Sequence, residues 1–125
     1  MKYLCLAYER ESDLNGLSPE EWASLRVETL DYVSELREKG ILIEARALRS
    51  ATDASTVRVR GGRSLVTDGP FAESKEQLGG FFMIEVPSHA EAVRVAERWP
   101  GARHGTIEVR PIEESLPEET RYPSG

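Results

Sequence analysis

Asp68-Gly69-Pro70-Phe71-Ala72-Glu73-Ser74-Lys75-Glu76-Gln77-Leu78-Gly79-Gly80, running into Phe81-Phe82-Met83-Ile84-Glu85-Val86, is the stretch on which the architecture turns. Asp68-Gly69 favours a tight turn, Pro70 fixes the next φ, and Gly79-Gly80 lets the backbone enter a strand without side-chain conflict. The strand beyond, Phe81 to Val86, is apolar at both parities, so both of its faces need cover. Between the fixed ends stand Asp68, Glu73, Lys75 and Glu76, more ionisable groups than a plain connector requires. The functional site is placed here.

Working backwards, Thr56-Val57-Arg58-Val59-Arg60 and Arg63-Ser64-Leu65-Val66-Thr67 flank Gly61-Gly62, the composition of a hairpin with a two-residue turn. In that register Arg60 faces Arg63. Like charges opposite one another are unfavourable on a sheet, so this end projects into water or meets an anion. Ile41 to Leu48 reads as the strand before it. Earlier still, Ser18 caps a helix with Pro19 at its first position and Glu21 completing a capping box, while Leu17 staples against Trp22. Trp22, Leu25, Thr29, Val33 and Leu36 share one stripe, and Gly40 closes the helix. A polar loop from Glu9 to Gly16 joins this helix to a first strand, Lys2 to Tyr8, also apolar at both parities.

Working forwards, Ser88 with Glu91 opens a second helix whose apolar face is Ala92, Val93, Val95, Ala96 and Trp99, and Pro100-Gly101 ends it. Thr106 to Ile112 is the last strand. Residues 113–125 read as an acidic, proline-containing extension outside the single domain 1–112. With the hairpin set aside as an insertion, the order is strand, helix, strand, strand, helix, strand. That is the ferredoxin-like split βαβ order of an α+β fold. Both helices then cover one sheet face, and the other is left for a second copy, giving a homodimer through sheet faces. Glu85 shares a parity with Phe81 and Met83, and Glu108 with Arg110, so one face mixes ionisable and apolar groups.

Composition narrows the classes. The net charge is −6, from 16 Lys and Arg against 22 Asp and Glu, which disfavours direct binding to nucleic acid or anionic membrane. Residues 41–67 alone are net basic, with 5 basic and 2 acidic groups. The lone cysteine, Cys5, forms no intramolecular disulfide and suits a reducing, cytoplasmic setting. No apolar run approaches the ~20 residues of a membrane span. Neither glycine pair belongs to a GxGxxG or GxxxxGK phosphate loop, no GxSxG elbow is present, and no helix-turn-helix is visible. A lone His89 or His104 defines no metal site, and no organic cofactor is expected.

Asp-Gly-Pro-Phe-Ala-Glu-Ser-Lys-Glu at 68–76, Leu78-Gly79-Gly80-Phe81-Phe82, and Glu108-Val109-Arg110-Pro111 resemble the DGPF group of the YCII-related domain family across most of the chain. Ser74 stands where Thr is common and keeps the hydroxyl. The resemblance implies the dimeric α+β barrel built on a ferredoxin-like chain. It also implies an enzymatic role suggested for YCII-type members from a His and an Asp in a cleft. Asp68 is the counterpart of that Asp, whereas neither His89 nor His104 sits in a motif matching the His. DGPF members are often encoded beside extracytoplasmic-function sigma factors, which implies a sigma-factor or transcription-linked partner.

Asp68 is accordingly the candidate general acid or base, or else a turn residue accepting backbone N–H bonds. Glu73 and Lys75 orient it or hold a polar ligand, or are simply solvated on a short helical turn. Arg58 and Arg110 bind a carboxylate or phosphate in bidentate fashion, or form ion pairs with Glu85 or Glu108. Phe71 lines a pocket or pins the loop to the core. Two functions follow. One is a small-molecule enzyme without metal or organic cofactor, acting on a small anionic or carbonyl-bearing molecule in a dimer-enclosed pocket. The other is a noncatalytic ligand-binding or accessory protein.

Overall fold

A computed structural model describes residues 1–115. The residues apolar at both parities become the two central strands. β1 (Lys2–Glu9) pairs antiparallel with β5 (Gln77–Glu85) on one side and β6 (Gly105–Pro111) on the other, and β2 (Leu42–Ala47) lies on the far side of β5. The strand order is β2-β5-β1-β6. A separate two-stranded sheet is formed by β3 (Ser55–Arg60) and β4 (Arg63–Asp68), with Arg60 opposite Arg63 as the sequence places them. Gly61 and Gly62 take positive φ of 57° and 77°, the tight turn that only glycine enters without strain.

The long helix α2 (Pro19–Glu38) starts where its signals put it. The Ser18 hydroxyl accepts from the Glu21 N–H at 3.1 Å, and the Glu21 carboxylate accepts from the Ser18 N–H at 3.0 Å. These two bonds satisfy N–H groups that a helix start otherwise leaves open. Its buried residues are Tyr32 and Leu36, while Trp22 is 39% exposed. The core stripe is therefore set by Tyr32, whose hydroxyl donates to the Val95 carbonyl at 2.7 Å, rather than by Trp22. The α3 helix (His89–Glu97) keeps half of its expected cap: the Ser88 hydroxyl accepts from the Glu91 N–H, and Glu91 turns outward to Arg94.

Three readings change. The polar segment after β1 holds a short helix, α1 (Glu11–Asn15), because Leu14 finds a buried place there. β5 begins at Gln77, so Leu78, Gly79 and Gly80 are strand rather than loop. The loop between Gly69 and Glu76 contains no helical turn, so Glu73 and Lys75 lie on irregular chain. The extension beyond Ile112 lies outside the described residues from 116 onward.

Both long helices pack on one sheet face, against Tyr3, Cys5, Phe82 and Ile84, all nearly or fully buried. Trp99, just beyond α3, stacks on Phe82 at 4.1 Å and 13° and meets Tyr32 edge-on at 6.1 Å. Arg98 joins the same corner, 4.9 Å above the Tyr32 ring and 3.0 Å from the Glu35 carboxylate. We expect Phe82→Ala to cost about 3–5 kcal/mol by denaturant unfolding, and Ser18→Ala about 1 kcal/mol. The first removes the partner of a stack and the second a single capping bond.

Candidate functional site

The 68–80 stretch is held at both ends by bonds that do not involve the Asp68 carboxylate. At its start the Gly69 N–H donates to the Ala54 carbonyl at 2.7 Å, and the Thr56 hydroxyl donates to the Gly69 carbonyl at 2.8 Å. Gly69 has a φ of 94°, which supplies the sharp departure from β4. At its end the Gln77 amide donates to the carbonyls of Ala72 and Ser74, both at 2.9 Å, and the Thr106 hydroxyl donates to Glu76 at 3.0 Å. Phe71 is thrust outward and is 79% exposed.

Between this loop and the chain following β2 lies a cleft of about 880 Å³. Tyr8 and Leu78, neighbours in the β1–β5 register, line one part of it, and Leu48, Ala51, Pro70 and Phe71 line others. Polar groups at its margin include Arg49, Asp53, Ser74 and Glu76. Arg49 is held by Asp53 at 3.0 Å and is itself 90% exposed. The wall of the cleft is fixed from below by Glu11, whose carboxylate accepts from the Ala51 N–H at 2.8 Å and the Ser50 hydroxyl at 3.0 Å. That bond gives the short α1 helix its purpose.

Of the site residues read from the sequence, Phe71 lines the cleft and does not pin the loop to the core. Asp68 ends β4 opposite Ser55 and is exposed; its carboxylate makes no hydrogen bond or ion pair among the described residues and does not line the cleft. It is therefore not the acceptor that holds its own turn. Glu73 and Lys75 are exposed on the loop, and Arg58 is exposed on β3. Arg110 pairs with Glu108 on its own strand at 3.6 Å, the ion-pair alternative. His89 follows the end of β5 remote from Gln77 and meets the Tyr3 ring edge-on, and His104 lies beside a small pocket with Glu21, Glu28 and Arg103. Neither lines the Phe71 cleft. Among the described residues no group of three His, Cys, Asp or Glu side chains is placed to hold a metal ion, and no helix is long and apolar enough to cross a membrane.

In the sequence Glu9 reads only as the first residue of a polar loop, whereas in the structure it is the last residue of β1. Between Ala7 and Tyr8 the β1–β5 register slips, so that Gly79 becomes the bulged residue. A Cβ on Gly79 would lie 2.0 Å from the Glu9 carboxylate oxygen, so the glycine makes the room that Glu9 occupies. Burial, and then the negative charge of Glu11, push the Glu9 pKa up. Gly105, opposite Glu9 on β6, is needed for a different reason: its Cβ would lie 2.1 Å from the Tyr8 carbonyl.

The chain belongs to the YCII-related domain family, whose defining pattern matches residues 1–115. A relative is an uncharacterized protein of Rhizobium meliloti (strain 1021), 37% identical over 114 residues that cover 90% of this chain and 92% of that protein.

Because the Glu9 pKa is raised in the folded state, ionising this group weakens folding. The stability of the protonated form is fully present below the ordinary carboxylate range and is lost as the pH rises through the raised value. Glu9→Gln should therefore be more stable than the parent at pH 7, and the gain should vanish in acid. Denaturant unfolding of both proteins across that range checks the sign.

Proposed function

We propose that this protein binds a small molecule in the cleft behind Phe71 and acts on it as a cofactor-free enzyme, with Asp68 carrying the proton. The cleft itself carries the reading. Its volume of about 880 Å³ falls within the ~300–1,000 Å³ of small-molecule sites, which are mostly apolar with few polar groups. Tyr8, Leu48, Leu78 and Phe71 suit a flat or apolar body, and Arg49 at the margin suits an anionic or carbonyl end. Two facts favour a chemical over a structural role for Asp68. Its turn is held by Thr56 and Ala54 instead, and it stands one residue from the Gly69 pivot that aims Pro70 and Phe71 at the cleft.

The reading includes a ferredoxin-like chain and a dimeric α+β barrel. Support for the first comes from the antiparallel order β2-β5-β1-β6, with a helix between β1 and β2 and another between β5 and β6. Support for the second comes from the sheet face away from the helices. Leu4, Leu6, Phe81 and Met83 lie there only half-buried. They are flanked in one row by Glu44 and Arg110 and in the next by Arg46 and Glu108. A two-fold axis parallel to the strands sets β2 of one copy over β6 of the other, so Glu44 meets Arg110 and Arg46 meets Glu108. The face is thus complementary to itself in charge as well as in apolar character.

Anilinonaphthalene sulfonate, an apolar body with one anionic group, is the probe for the cleft. We expect Phe71→Ala to weaken its binding about tenfold, a loss near 1.4 kcal/mol; unchanged binding would remove the cleft from the site. Asp68→Ala should unfold within about 0.5 kcal/mol of the parent. A loss of about 1–3 kcal/mol would assign Asp68 to loop hydrogen bonding and sink its part in the chemistry.

A further inference from the structure

The β3–β4 hairpin is covered on neither side. Val57 pairs with Val66, and strand alternation sets Val59 on the same face, with Asp68 at its root opposite Ser55. These valines are 62%, 60% and 61% exposed for Val57, Val59 and Val66. The reverse face carries Arg58, Arg60 and Arg63, none in an ion pair among the described residues, with Leu65 between them. A two-stranded hairpin is marginal by itself in water. One that presents a cross-strand valine pair, with a third valine beside it, to solvent is shaped for a partner.

We propose that this hairpin is an arm whose valine face lies on a second copy of the chain, and that this cover shields the Asp68 carboxylate and the Phe71 cleft from water. The inference rests on the dimeric reading above and adds the element that would make each site depend on the neighbouring chain. Two arguments select a second copy as the occupant. The arm is inserted between β2 and β5, the two strands that contribute Glu44, Arg46, Phe81 and Met83 to the self-complementary sheet face, so one interface takes both surfaces. Finally, a stable interface takes about 800 Å² from each partner, and the valine face extends the four half-buried apolar side chains of the sheet towards that size.

The test is sedimentation equilibrium of the full chain and three variants, with anilinonaphthalene sulfonate binding followed as the protein is diluted. Val57→Lys with Val66→Lys places two charges on the arm, and Leu6→Lys places one on the sheet face. We expect a dimer whose dissociation constant rises about tenfold or more in the arm variant, with an unchanged circular dichroism spectrum. We also expect probe binding per chain to fall as the parent dimer dissociates. Should the lysines disturb folding, Val57→Thr with Val66→Thr keeps strand propensity and is expected to weaken the dimer in the same direction. A dimer weakened by Leu6→Lys and indifferent to both arm variants overturns the arm and leaves the sheet-face dimer standing. A parent that stays monomeric at all concentrations overturns the arm and the dimer together, whereas sensitivity of probe binding to Phe71→Ala would still uphold the ligand site. Probe binding that does not change on dissociation overturns the cover of the cleft.

Discussion

The stack of Trp99 on Phe82 is the contact on which the remaining structure depends. Phe82 is fully buried in the middle of β5, the strand that carries β1 on one side and β2 on the other. Trp99 comes from the turn after α3, and its other neighbour, Tyr32, comes from α2. One aromatic corner thus fixes the sheet and both long helices to each other, and flat rings do so with little conformational freedom to lose. With that corner in place, β5 has a fixed direction, and the loop that enters it at Gln77 is aimed before any ligand is considered.

Much of the chain was legible because its signals are local. Ser18, Pro19 and Glu21 mark a helix start through bonds within four residues, and Gly61-Gly62 marks a hairpin turn through its own φ values. The double parity of Lys2–Tyr8 and Phe81–Val86 correctly foretold central strands. What escaped depends on contacts distant in sequence. Tyr32 belongs to the core because Val95 and Trp99 receive it, and α1 forms where Leu14 is buried and Glu11 reaches residues 50 and 51. The glycines at 79 and 80 read as loop residues because nothing nearby announces that Glu9 and the Arg46 carbonyl press against them.

For the candidate site, the sequence points to a segment that lies beside a cleft but not to the residues that line most of it. Part of the dense 68–80 segment borders the cleft, yet most of the lining comes from Tyr8 and residues 47–56, which apart from Arg49 and Asp53 are apolar or small polar residues without a chemical signature of their own. Charged residues drew the sequence reading towards Glu73 and Lys75, which the fold leaves in solvent. In this cleft the shape is supplied by backbone course, and the ionisable groups stand at the rim.

Cys5 has a practical consequence. It is wholly buried under the helices, and burial pushes its thiol pKa up to about 12, so at neutral pH almost no thiolate is present to react. Any cysteine introduced on the outer surface would then be the sole reactive thiol in the chain. The natural protein is therefore a silent background for spin labels and fluorophores, and distances between introduced surface labels become measurable without first removing a native residue from the core.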